Sequence, residues 1–194
     1  MKFINTVLLV FSFAFLCACG PGNSVRLLPP PPIQASSLPP PTAPSLCVVN
    51  FKDDRLDPAA IGVRRDGSAF TTTGDVALWI SRALADELAR KGFRVTFAMS
   101  ASQARSSNPD YLVTGAVNEV WLKESSMLEM TAQMQVNCTL ANRKGKLWEE
   151  SCNANQTRSA LPSGSGANTL LLDSLEDLLK PIAKKILLTT ENAK

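Results

Sequence analysis

The sequence predicts an α+β domain: a mixed, mainly antiparallel sheet with two principal helices packed on one face. Three observations carry this. Asp75 to Lys91 places Val76, Trp79, Ile80, Ala83, Leu84 and Leu88 at helical spacing. Asn168 to Leu188 does the same with Leu171, Leu175, Leu178, Ile182 and Ile186. Met127 to Leu140 alternates throughout, with Met130, Ala132, Met134, Val136, Cys138 and Leu140 on one face and Glu129, Thr131, Gln133, Gln135, Asn137 and Thr139 on the other. Two amphipathic helices and a set of half-buried strands are satisfied together by one sheet with one covered face.

The chain begins with Lys2 and an apolar run from Val7 to Leu16, shorter than the about 20 residues a spanning helix needs. The run closes on Leu16-Cys17-Ala18-Cys19. This resembles a bacterial lipobox, which implies cleavage before Cys19, acylation of Cys19 and a protein held to a membrane by its lipid. Residues 1–18 are therefore read as a lipoprotein signal peptide. Gly20 stands where an aspartate would signal retention in the inner membrane, which points to the outer membrane and a domain facing the periplasm. More than one acyl chain makes such anchoring stable.

Residues 19–45 are read as the lipidated cysteine and a proline-rich linker. Of the 13 prolines, eight fall between Pro29 and Pro44, at 29–32, 39–41 and 44. Proline runs favour an extended chain of about 3.1 Å per residue, so the linker is expected to act as a spacer holding the domain up to roughly 80 Å from the membrane.

The domain is read over residues 46–190. Leu46 to Phe51 is apolar, short and flanked by Pro44 and the charged Lys52 to Arg55, which marks a first strand. Residues 52–74 read as a long loop broken by Pro58, Gly62, Gly67 and Gly74, with a short extended piece at Ile61 to Arg65. Thr72 or Thr73 is expected to cap the helix from Asp75, and Gly92 to end it. Phe93 to Phe97 alternates as a strand, and Ser100 to Arg105 fits a short helical turn. Tyr111 to Lys123, Met127 to Leu140 and Lys146 to Thr157 are three longer strands, the last two joined by the turn Asn142-Arg143-Lys144-Gly145. Ser163-Gly164-Ser165-Gly166 reads as a flexible joint before the last helix. Pro181 lies inside that helix and is expected to kink or split it.

Composition excludes several functions. The chain has no histidine, which removes serine–histidine–aspartate and cysteine–histidine catalysis and histidine metal sites. A net charge of +3 from 20 basic and 17 acidic residues is too weak and too mixed to argue for nucleic acid. No zinc or redox motif is present, and no cofactor or metal is expected. Cys138 and Cys152 fall on one face of adjacent strands, which fits either a disulfide or two buried free thiols. Pairing Asn142 with Lys146 would set Cys138 opposite Glu150, with Cys152 its diagonal neighbour, somewhat far for a bridge. That register also puts Glu150 on the apolar face.

The remaining polar clusters have bland readings. Asp53, Asp54 and Asp57 resemble paired carboxylates, but Lys52 and Arg55 sit among them, so a solvated loop is favoured. Arg64 and Arg65 fit an anionic glycan or lipid headgroup, with local ion pairs the simpler reading. Gly164-Ser165-Gly166 lacks the rest of a phosphate loop. Gln133, Gln135, Asn137 and Thr139 form a wet strand face open to solvent or to a partner. An enzyme would call for clustered carboxylates in a cleft, such as Asp53, Asp54 and Glu119.

Taken in order, these signals resemble the YajG-type lipoproteins of Gram-negative bacteria. The signals are the lipobox at Cys19, the strand Leu46 to Phe51, the loop Asp53-Asp54-Arg55, the helix ending Leu88-Ala89-Arg90-Lys91-Gly92-Phe93, the three antiparallel strands and the last helix. The resemblance implies a non-enzymatic cell-envelope lipoprotein and carries no catalytic residues with it. Lipoprotein activators of peptidoglycan synthases and lipid-binding accessory subunits of envelope transporters share the anchor, linker and small α/β domain. The expected partners are the membrane, through the lipid, and an envelope protein; Met127, Met130 and Met134 would suit an adaptable lipid-binding wall.

Overall fold

The structure is a computed structural model that describes residues 22–32, 39–159 and 164–192. Cys19, the signal peptide and Ser163 lie outside the described residues. One eight-stranded sheet is built around the long strand β6 (Tyr111–Glu124). One edge of β6 is shared by three parallel neighbours in succession: β1 (Ser45–Val49), β2 (Lys52–Asp53) and β3 (Ala60–Val63). β5 (Arg94–Ala98) extends the sheet in parallel beyond β1, and β4 (Ala69–Thr71) pairs antiparallel with β3. The other edge of β6 carries the longest ladders, antiparallel to β7 (Glu129–Asn142) and on to β8 (Gly145–Ser159). The region expected as a loop over 52–74 thus contributes three short strands. The extended piece expected at Ile61 to Arg65 corresponds to β3, whereas β2 and β4 are too short to show a period.

Two helices cover one face, α1 (Val76–Arg90) and α3 (Gly164–Asn192). Asp75 caps α1: its carboxylate accepts from the Leu78 N–H at 2.9 Å, so the cap falls on Asp75 rather than on Thr72 or Thr73. The predicted stripes of both helices are buried in one core with the inward row of β7; α1 packs on the β1, β5 and β6 side and α3 on β7 and β8. A short helix, α2 (Ala101–Ser106), covers Cys47, Val49 and Ala98 on the opposite face with Ala104.

Gly164 to Gly166 form the first turn of α3 rather than a joint, and of the kink or split expected at Pro181 the split does not occur: the helix continues through it. Pro181 lies on the exposed side, between buried Leu178, Leu179 and Ile182, Ala183. The carbonyl that proline leaves without a partner is there on the water side.

The proline-rich segment departs furthest from expectation. Residues 22–32 lie on the domain as a strap. Ser24 bridges Thr71 in parallel, the Val25 N–H donates to Thr71 O at 2.8 Å, and the Thr71 N–H donates to Asn23 O at 2.9 Å. Val25 is buried with the main core. Trp79 Nε1 donates to Leu28 O at 2.8 Å, the Arg26 N–H to Asn168 Oδ1 at 2.9 Å, and the Arg90 guanidinium to Pro31 O. The chain is extended as proline demands, but its free carbonyls are satisfied by the domain, so this stretch is not a free spacer. Residues 39–44 are docked as well, with Ala43 buried and Arg94 Nε donating to its carbonyl at 2.8 Å.

Candidate functional site

The part of the opposite sheet face that α2 leaves open carries a candidate site. β6 has a bulge at Asn118, between the pairs Val117 with Val136 and Glu119 with Gln135. A bulge adds one residue to one strand and re-aims the side chains after it. Beyond it Trp121 faces outward opposite Gln133, while Val120 and Leu122 stay buried against the helices.

The connection from β2 to β3 arches beside this stretch and is held by Arg55. Its guanidinium meets Asp53 twice, Nε to Oδ1 at 2.9 Å and Nη2 to Oδ2 at 2.8 Å. It also donates to Ala60 O at 3.1 Å and Pro58 O at 3.0 Å. The Arg55 side chain is only 5% exposed. A planar fork with this many partners fixes the arch more firmly than a lysine would. Asp57 closes the turn by accepting from the N–H groups of Ala59 and Ala60 at 3.0 and 3.3 Å. The arch presents Leu56 fully to solvent. Leu56, Trp121, Asn118, Glu119 and Gln135 border an open depression of about 320 Å³ with Arg55 and Asp57 at its side. The Asn118 Oδ1 is buried with no hydrogen-bond partner.

The predicted carboxylate cluster is thereby accounted for. Asp53 holds Arg55, Asp54 pairs with Lys52 at 2.6 Å, and Asp57 serves the backbone. The Arg55 hydrogen bonds hold the Asp53 carboxyl below the usual carboxylate range, against a smaller upward push from partial burial. Glu119 stands across the depression from Asp57. No group of three metal-ligating side chains occurs among the described residues.

Of the two readings left open for the thiols, the structure has the unbridged one. Cys138 and Cys152 are both free. Cys138 pairs with Glu150, and Cys152 with Val136, which makes the two diagonal neighbours. A one-residue bulge between the Leu140 and Ala141 pairs sets this register. Burial, with a smaller contribution from Cys152, pushes the Cys138 thiol far up. Glu150 is on the helix side, as that register requires, but β8 is the sheet edge, and there Glu150 meets Lys185 of α3 and accepts from Trp148 Nε1 at 2.9 Å. Lys185 also lies over the Trp148 ring at 5.3 Å.

The inward faces of the sheet and the two helices share one cluster of buried apolar side chains. Met130 and Met134 are packed within the core, whereas Met127 is exposed. Two other open depressions lie elsewhere. One of about 230 Å³ is bounded by Pro30, Pro31 and the facing sides of α1 and α3; one of about 490 Å³ lies around Asn108 and Arg143.

The fold recurs in solved structures. A protein of Xanthomonas campestris, XCC0632, of the family DUF330, superimposes with a TM-score of 0.61 at 14% identity, covering 89% of this chain and 95% of its own. An uncharacterised protein superimposes with a TM-score of 0.52 at 11% identity, over 75% and 94% of the two chains. The lipoprotein GNA1162 of Neisseria meningitidis matches more loosely, at a TM-score of 0.39 and 15% identity, over 71% and 99%. At these identities the likeness is one of fold. No family model matches the chain, and no curated protein does. No described helix is long and apolar enough to cross a membrane.

Proposed function

We propose that this protein is a non-enzymatic lipoprotein of the cell envelope, acylated on Cys19, held to the outer membrane facing the periplasm, and binding an envelope protein through its uncovered sheet face. The anchor rests on Leu16-Cys17-Ala18-Cys19 at the end of a short apolar run, and the ordered signals that resemble the YajG-type lipoproteins agree with it. The observation that carries the binding reading is Leu56. Leu56 stands fully exposed on an arch fixed by the buried Arg55, beside the depression it borders with half-buried Trp121, and a preorganised apolar projection is what a partner pocket can use. Chemistry has less support: the loop carboxylates are engaged in holding the arch. The lipid-carrier reading would use Met130 and Met134 as an adaptable wall, and both side chains are buried in the main core cluster.

A photo-crosslinking residue placed at Leu56 in intact cells tests the binding reading. A discrete protein adduct that is lost in Trp121→Ala, with unchanged thermal unfolding of that variant, is the expected result. No adduct from Leu56, or one unaffected by Trp121→Ala, contradicts the assigned surface.

A further inference from the structure

The strap changes where a lipid on Cys19 would leave the domain. Asn23 to Val25 runs parallel to β4; β4 is antiparallel to β3, and β3 is parallel to β6. The strap therefore runs against β6. Followed backward from Val25 to Gly22, the chain heads toward the end of the sheet where β6 turns into β7. Hydrogen bonds tie the two together: Arg64 Nη1 donates to Asn23 Oδ1 at 3.0 Å, and Arg64 Nε to Glu124 Oε2 at 3.1 Å, the last residue of β6. Three peptide links separate Cys19 from Gly22, and they span at most about 11 Å.

That same end carries an exposed apolar tip. In the β6–β7 turn Met127 is 63% exposed and Leu128 57%. The turn is ordered by the Ser125 N–H donating to Glu129 O at 3.0 Å and the Leu128 N–H to Ser126 Oγ at 3.2 Å. Charges of both signs share this end: Arg64 pairs with Glu124, Arg158 with Asp173, and Lys123 and Glu129 lie on the ladders beside the turn. With the signs mixed, the apolar tip and the covalent tether, rather than a patch of one sign, would make the contact with the bilayer.

We infer that the domain is seated directly on the bilayer that holds its lipid, with the Met127–Leu128 turn in the headgroup layer and β6 rising from it. The inference rests on the anchor proposed above. It places the Asn142–Gly145 turn at the far end of the sheet, roughly 40 Å along β6 from the membrane end. It also turns the uncovered sheet face sideways, open to a partner in the same membrane plane.

The test uses full-length, membrane-extracted protein in vesicles of phosphatidylethanolamine with a minority of phosphatidylglycerol. In a Cys152→Ser background, an environment-sensitive fluorophore is attached through Ser126→Cys or through Lys144→Cys, and bromine-bearing lipids serve as quencher. The expected result is severalfold stronger quenching at residue 126 than at 144, unchanged when phosphatidylglycerol is replaced by phosphatidylcholine. Inserting about ten glycine and serine residues between Pro21 and Gly22 adds a flexible tether of roughly 17 Å and should reduce the quenching at 126. Equal quenching at both sites in protein whose mass shows the lipid overturns the seat and leaves the anchor standing. Quenching at 126 that survives the insertion unchanged overturns the part played by the short tether. Protein with no lipid on Cys19 overturns the anchor and the seat together.

Discussion

Ser81 shows how one polar side chain can join two layers. It is fully buried on α1, donates to Ala77 O at 2.6 Å and accepts from the Phe51 N–H at 2.8 Å, where β1 has ended and β2 has not begun. Ser81→Ala would strand a buried backbone donor and should cost about 1–3 kcal/mol, read as a lower urea midpoint with an unchanged slope. The helical stripe read from the sequence omitted Ser81, because a serine beside Ile80 gives no sign of which backbone group it will serve. Gly115 is another such position: a Cβ there would lie 2.4 Å from Asn137 O and 2.9 Å from the Phe51 ring, a constraint of the tertiary packing alone. Asp53 is held by the Arg55 guanidinium. The folded Asp53 pKa is lowered, so the stability it contributes is present above the unfolded value of about 4 and is lost as pH falls through the lower folded value. Asp53→Asn should therefore destabilise the protein at neutral pH, and the gap from the parent should narrow in acid unfolding below about pH 4. The thiols differ in the same local way. With Cys138 buried and its pKa driven up, alkylation of the native protein should reach the half-buried Cys152 first and Cys138 only on unfolding. A mass lower by two hydrogens under non-reducing conditions would contradict the free pair.

At the scale of elements, periodicity was legible wherever a face was long and half-buried. The stripes of α1 and α3 and the alternation of β7 are borne out residue by residue, because burial imposes one period over many residues. What escaped was short, or depended on contacts across the chain. β2 and β4 are two and three residues long and exist only because β6 and β3 offer them edges. Pro181 is a local rule overruled by packing: its helix continues because five turns of leucine and isoleucine are buried around it. Pro181→Ala restores an interior N–H and should raise stability, by up to about 3 kcal/mol in thermal or urea unfolding, with no loss of helix signal. The strap was misread for the opposite reason. Proline-rich composition does specify an extended chain, but not whether Trp79, Arg90 and Thr71 will receive its carbonyls. Val25→Asp should unseat residues 22–32 while the sheet stays folded, seen as rapid limited proteolysis before Pro29 and faster amide exchange of Thr71. Equal protection in the variant would show that the strap does not depend on its buried valine.

At the scale of the molecule, the pieces define a direction. The anchor end, the Asn23–Arg64–Glu124 chain of hydrogen bonds and the exposed Met127–Leu128 turn lie at one end of β6, and the Arg143 turn lies at the other. The uncovered face with Leu56 and Trp121 stands between them. Little of this direction was legible from sequence, since it depends on three strands sharing one edge of β6 and on a strap docking antiparallel to it. The proposed address rests on a different kind of signal, the local run Leu16 to Cys19, which would be read by enzymes on an unfolded segment. The whole account therefore turns on Cys19. The most direct measurement is the intact mass of membrane-extracted protein, with membrane fractionation, for the parent chain and Cys19→Ala. The account predicts a parent chain cut before Cys19, carrying acyl chains and sedimenting with the outer membrane, and a variant lacking both the lipid and the membrane association. An unmodified Cys19 in a protein whose location the substitution leaves unchanged would contradict it.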